Sequence, residues 1–207
     1  MAGRQDSWHQ PEPPAERSHI LTRAVFLVGF MGSGKSSVGR ALSRRLNWRF
    51  EDLDDRVQAR ENRAIADIFR DSGELIFRQA EHAALLELLA EVKASTPVVA
   101  ALGGGAFIQP ENAELLNATG ALIVFLDAPG SELWQRCRND EQPVERPLQK
   151  DPKQFGDLYE TRRPHYLRAR SRVDTSGKTI ESIVTEIISL LEIDKIQSGP
   201  DAFQQGE

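Results

Sequence analysis

Short apolar runs alternate along this chain with stretches whose apolar residues recur every three or four positions. Residues 24–28, Ala-Val-Phe-Leu-Val, form an unbroken apolar run that stops at a glycine. Such a run predicts a parallel strand buried on both faces. Residues 36–46 follow with helical spacing, Val38, Leu42 and Leu46 sharing one face. Residues 48–52 predict a short second strand, and 97–102 and 121–127 predict two more. Helices are expected over 54–60 and 64–71, then a long one over 74–93, where Phe77, Ala80, Ala84, Leu85, Leu88 and Leu89 are the apolar positions. Further helices are expected over 131–138, 151–170 and 179–191. Strands separated by helices imply βαβ units and a parallel sheet covered on both faces.

Residues 1–20 and 194–207 lack this pattern and read as unstructured tails around one domain over 21–193. The chain has 207 residues, 40% of them hydrophobic, enough to bury the core of one domain. Wholesale disorder is thereby excluded. The N-terminal segment has no apolar stretch of the secretory kind, and its acidic residues argue against a transit peptide. No apolar run is long enough to span a bilayer. The expectation is a cytoplasmic protein without membrane contact.

A net charge of −5 argues against a general nucleic-acid binder. The one cysteine, Cys137, excludes an internal disulfide framework and a thiolate zinc site. Charge is unevenly spread. Residues 136–172 hold ten Lys and Arg against six Asp and Glu, a local +4 that leaves −9 elsewhere. A local arginine surplus on an acidic protein suits a compact anionic ligand.

Gly29-Phe30-Met31-Gly32-Ser33-Gly34-Lys35-Ser36 matches G-x-x-x-x-G-K-[ST] in full, with a strand expected before it and a helix after it. Glycines let successive backbone N–H groups turn inward around phosphate oxygens, and the helix N-terminus adds a favourable dipole. Lys35 suits the β- and γ-phosphates, and the Ser36 hydroxyl suits Mg²⁺. The motif therefore points to a nucleoside triphosphate, with ATP the first choice, without naming the reaction.

Such a site needs an acid near the cation, usually just after a strand. Asp127 ends the most apolar strand, but Ala-Pro-Gly and a helix follow it, so it reads as a residue of the turn into that helix. Asp52 and Asp54 end the strand that begins at Trp48. Strand alternation places them on one side if the strand runs that far. The C-terminal ends of strands are where α/β sheets bind ligands. One carboxylate suits the metal and the other suits an attacking hydroxyl. The rival reading for Asp54 is a plain helix cap.

Several motifs then occur in order: GFMGSGKSSVGRALSRRL, FEDLD, ADIF with GELIFRQAE, LGGGA, ERPL and RRPHY. With these the chain, from about 25 to about 191, resembles shikimate kinase, a small P-loop kinase of the nucleoside-monophosphate-kinase type. The resemblance implies a three-layer αβα fold with a central five-stranded parallel sheet. It also implies a substrate-binding region near 54–82 and a mobile lid near 138–152. It further implies ATP-dependent phosphorylation of the shikimate 3-hydroxyl, a step of chorismate and aromatic amino acid biosynthesis, with one Mg²⁺ and a monomeric protein.

Carried over residue by residue, the resemblance puts Gly32, Ser33, Gly34, Lys35, Ser36 and Ser37 at the ATP phosphates. It puts Ser36 and Asp52 at Mg²⁺, the latter through water. Asp54 falls on the residue that binds the shikimate hydroxyls and is the candidate base. Arg78 and Arg162 fall on the two arginines that grip the shikimate carboxylate. Gly103, Gly104 and Gly105 form the glycine run beside the substrate. Phe69 and Phe77 match its apolar wall, and Glu81 matches an acid that orients a substrate-site arginine. Arg146 matches the lid arginine that reaches the ATP phosphates. Arg136, with Arg138 as rival, is assigned to the adenine side, and Lys178 is a further candidate there.

These residue types suit the chemistry. Shikimate carries one carboxylate and three hydroxyls, and two guanidinium forks fix a carboxylate's orientation as well as its charge. Taken alone, Arg78 would read as a solvated helix-face arginine, and Phe69 and Phe77 as core aromatics. Arg162 has its neighbour Arg163 as a rival, and the Pro and Tyr that follow select Arg162. His82 and His165 lack an acid or cysteine at ligand spacing and read as surface or capping residues. The chain departs from the family pattern at Arg60-Glu61-Asn62, where Arg-Thr-Gly is frequent, and at Gln149, where a second leucine is frequent. Two rival readings stay open: another small-metabolite kinase, such as gluconate kinase or a nucleoside monophosphate kinase, and a non-catalytic module of the same fold.

Overall fold

A five-stranded, all-parallel sheet in the order β2-β3-β1-β4-β5 forms the middle layer. The computed structural model describes residues 23–93, 97–139 and 151–197. In chain order the strands are β1 (Ala24–Val28), β2 (Arg49–Asp52), β3 (Val98–Ala101), β4 (Leu122–Asp127) and β5 (Ser171–Asp174). The helices are α1 (Lys35–Leu46), α2 (Leu53–Glu61), α3 (Ile65–Lys93), α4 (Pro110–Ala118), α5 (Gly130–Arg138), α6 (Pro152–Tyr166) and α7 (Ile180–Gln197).

Alternation along the strands feeds two cores. From β1, Ala24, Phe26 and Val28 join Leu53, Phe77, Leu88, Phe107, Phe155 and Tyr166 on one face. Val25 and Leu27 join Val38, Leu42, Ile183 and Ile187 on the other. Every residue of β1, β3 and β4 is buried, as expected of strands covered on both faces. The fold is the three-layer αβα arrangement expected above.

Differences from the sequence reading have local causes. The helices expected over 64–71 and 74–93 run together as α3, with non-helical backbone at Gly73 (φ 81°, ψ 175°) marking the kink between them. The helix expected over 151–170 stops at Tyr166, and β5 follows, a four-residue strand whose one buried side chain is Val173. α4 and a short 3₁₀ turn at Ala106–Ile108 are elements beyond those the sequence pattern predicts. α7 continues to Gln197, past the boundary at 193. Arg146 and most of the expected lid fall outside the described residues, as does the expected tail over 1–20. No helix among the described residues is long and apolar enough to cross a membrane.

Candidate active site

The phosphate loop joins β1 to α1 at the carboxyl edge of the sheet, where open α/β sheets hold ligands. Gly32 and Gly34 take left-handed backbone (φ 79° and 88°), which a side chain would resist. Gly34 is the N-cap of α1, so the loop delivers its chain straight into a helix N-terminus. Lys35 Nζ reaches back across the loop and donates to the Phe30 carbonyl at 2.9 Å. Ser36 and Ser37 are exposed at the start of α1. The Ser33 hydroxyl, in contrast, is buried within the loop.

Asp52 stands across from α1. Its Oδ2 accepts from Ser36 Oγ at 2.7 Å, and its Oδ1 accepts from the Asp54 amide at 3.1 Å, capping α2. Asp52 and Asp54 do not share one side of a strand, contrary to the expectation from alternation. β2 ends at Asp52, and Asp54 lies in the first turn of α2. The two are neighbours because one caps the helix that carries the other. Ser36 and Asp52 present hard oxygen donors beside the phosphate loop and fit Mg²⁺, which takes few protein ligands and fills the rest with phosphate and water. Among the described residues no group of three or more His, Cys, Asp or Glu side chains is placed to hold a metal.

A second cluster surrounds the glycine run after β3. A methyl group on Gly103 would lie 2.5 Å from Asp54 Oδ1 and 2.9 Å from Glu81 Oε1, and one on Gly105 would collide with the Arg78 guanidinium. The bare backbone is what lets two carboxylates and an arginine close in on one loop. Arg78 NH1 pairs with Glu81 Oε2 at 2.8 Å, and its NH2 meets Glu74 at 3.0 Å. The guanidinium sits 5.0 Å from the Phe77 ring, which packs against Phe69 at 4.5 Å between centroids. Phe77 belongs to the core, whereas Phe69 is exposed.

Glu81 is 1% exposed, and its Oε1 has no hydrogen-bond partner among the described residues. Burial pushes its carboxyl above the usual glutamate range against the opposing pull of Arg78, and the nearby Asp54 charge adds to the rise. Burial also raises Tyr166, whose hydroxyl donates to the Gly104 carbonyl. Arg162 lies 6.0 Å from the Phe30 ring, and its charge acts on both Glu81 and Tyr166. Arg163 turns elsewhere, onto Asp127 Oδ2 at 2.8 Å.

Asp127 itself is corrected. It is a buried anchor that binds Arg163, Arg172 and Tyr159, not a turn residue. Arg136 donates to the Thr175 hydroxyl at 3.0 Å and carbonyl at 2.7 Å, at the turn after β5, while Arg138 is exposed. Lys178 is engaged by Glu186 at 2.6 Å. Tyr166, the last residue of Arg-Arg-Pro-His-Tyr, props the glycine loop, a role its sequence motif does not announce. Nor does the sequence announce His82, which bonds Asn112 at 2.6 Å; Asn112 in turn donates to the Ala106 carbonyl at 3.1 Å just past the loop.

The family model for shikimate kinase matches residues 31–192. The chain belongs to the shikimate kinase family. A shikimate kinase of Persephonella marina is 38% identical over 167 residues, which cover 80% of this chain and 97% of that protein. A shikimate kinase from Acinetobacter baumannii, solved in complex with shikimate, superposes with a TM-score of 0.74 at 31% identity, covering 84% of this chain and 95% of that one. A gluconokinase from Sinorhizobium meliloti 1021 superposes at 0.54 with 20% identity and shares the fold alone. Shikimate kinase family membership thus rests on matched sequence over most of the chain, which the gluconokinase lacks.

Proposed function

We propose that this protein transfers the terminal phosphoryl group of ATP to the 3-hydroxyl of shikimate, giving shikimate 3-phosphate and ADP. The observation that carries the reading is the convergence of Asp54, Glu81 and Arg78 on the Gly103–Gly105 loop, beside the phosphate loop at one edge of the sheet. Phosphoryl transfer demands positioning and charge neutralisation more than covalent work. The phosphate loop with Lys35 and Ser36 holds the donor. Arg78 and Arg162 hold the acceptor's carboxylate, the Phe69–Phe77 wall bounds its ring, and Asp54 orients its hydroxyl and accepts the proton. Glu81 holds Arg78 in place.

Ser36 and Asp52 hold Mg²⁺, which when bound neutralises charge on the phosphate oxygens. Arg136 is assigned to the adenine side, and Arg146, outside the described residues, to the ATP phosphates on its Arg-Pro-Leu motif. The reading includes a kinase domain over 21–193 and a monomer in the cytoplasm.

ADP release measured with shikimate, gluconate and nucleoside monophosphates as acceptors tests the reading. Turnover with shikimate alone is expected. Turnover with gluconate or a nucleoside monophosphate in its place moves the protein to a rival kinase class. No turnover with any acceptor leaves a non-catalytic module.

A further inference from the structure

Arg162 and Arg163 are adjacent in α6, and the helix sends their side chains in different directions, about 100° apart. Arg162 points toward Phe30 and the Glu81–Tyr166 side. Arg163 points to Asp127, the last residue of β4, which is 2% exposed. Tyr159, one turn earlier on α6, reaches the same carboxylate at 3.2 Å and the Ala128 carbonyl at 2.9 Å. One buried carboxylate therefore meets two consecutive turns of α6. Beyond Arg163, Tyr166 donates to the Gly104 carbonyl. Arg162 lies between Tyr159 and Tyr166 in α6, so the anchors on both sides of it resist a roll of the helix about its axis.

The helix needs such a fixture at this point. Pro164 lies inside α6, immediately after the two arginines. A proline has no N–H to donate to the preceding turn, so the helix backbone is weakest here. Asp127 is buried and Arg163 half-buried, and such a pair is a poor source of stability, because desolvation of the carboxylate offsets much of its attraction. It is a better source of direction, because Asp127 is held in the core and Arg163 must bring one N–H onto its Oδ2.

We propose that the Asp127–Arg163 pair is a positioning device that aims Arg162 at the acceptor's carboxylate. The inference rests on the assignment of Arg162 to that carboxylate. Arg163 is a positioning residue and touches neither substrate. Its charge, spent on Asp127, does its work by fixing how α6 sits on the end of β4.

Steady-state kinetics of the full chain, with ATP and shikimate each varied, test this. Arg163→Met keeps the apolar stem and removes the charge. It is expected to raise KM for shikimate roughly tenfold while leaving KM for ATP within about twofold. Arg163→Lys is expected to recover part of the loss. Arg172→Met removes the other guanidinium from the same oxygen but lies off α6, and is expected to leave KM for shikimate unchanged.

The decisive arm is the pair of variants Arg162→Ala and Arg162→Ala/Arg163→Met. If Arg163 acts through Arg162, the second change adds little to the first. Additive effects overturn the proposal, as does an equal rise in both KM values. A parental KM in Arg162→Ala removes the substrate assignment beneath it. A raised KM in Arg162→Ala with a parental KM in Arg163→Met removes the positioning role alone. Should Arg163→Met fail to fold, Arg163→Lys carries the same comparison at smaller amplitude.

Discussion

Ser36 Oγ donates to Asp52 Oδ2 at 2.7 Å, tying the first turn of α1 to the last residue of β2. The same carboxylate caps α2 through its other oxygen. Asp52 therefore has two separable duties, one toward the cation and one toward the helix.

Asp52→Asn separates them. Asparagine is as good an N-cap as aspartate, so the melting temperature should hold nearly constant. The lost negative charge should shift the Mg²⁺ dependence of activity to higher concentration. Titration of activity with Mg²⁺ reads the second effect and thermal melting the first. A variant that melts much earlier but keeps the parental Mg²⁺ midpoint shows that the carboxylate serves the fold alone.

Asp54→Asn addresses the proton. Asp54 sits in the first turn of α2, so its backbone placement should survive the change. Loss of a general base typically costs about 10²- to 10⁴-fold in turnover. The affinity for ATP, measured by equilibrium titration, should stay near the parental value. Near-normal turnover with shikimate removes Asp54 from the role of base.

Much of this site was legible in the sequence because short-range motifs carry it. The apolar run of β1, the glycines after it and the Lys-Ser pair lie within about a dozen residues, and each has a direct physical purpose. Asp52 and Asp54 were found for a partly wrong reason: the strand alternation invoked for them does not reach Asp54, and the helix cap does the work. Asp127 was misread because its partners are distant in sequence. Arg163 is 36 residues away and Tyr159 32. No local pattern announces a buried carboxylate whose cations arrive from α6 and β5. β5, between the helices expected over 151–170 and 179–191, has no strand signal of its own, because Ser-Arg-Val-Asp carries one buried apolar residue and too little pattern to show a strand.

Glu81 offers a pH test. Its carboxyl is raised in the folded protein, chiefly by burial. A raised folded value means that the folded state holds the proton more tightly than the unfolded state does. That contribution to stability is complete below the ordinary glutamate range and is lost as pH rises through the raised value. Glu81→Gln removes the titration. The stability of the parent relative to the variant should therefore fall as pH rises from the usual glutamate range upward. Urea unfolding at a series of pH values measures the difference. A relative stability that rises over that window means that the Arg78 pair outweighs burial at this carboxylate.

Gly73 breaks α3 between Phe69, on the exposed side of the wall, and the turn that carries Phe77 and Arg78. Its backbone (φ 81°, ψ 175°) lies in a region open almost solely to glycine, and a methyl group there meets nothing within 4 Å. Gly73→Ala should therefore cost backbone strain and no steric clash, about 1–3 kcal/mol. For a domain of this size that is a fall of several degrees in melting temperature, at roughly 2–4 °C per kcal/mol. The chain can instead relieve the strain by straightening α3. In that case the melting temperature holds, but Phe69 swings away from Phe77 and KM for shikimate rises. The two outcomes exclude each other, and one melting curve with one substrate titration distinguishes them. A variant with parental stability and parental KM shows that the kink does not set the wall's geometry, and removes Phe69 from the acceptor pocket.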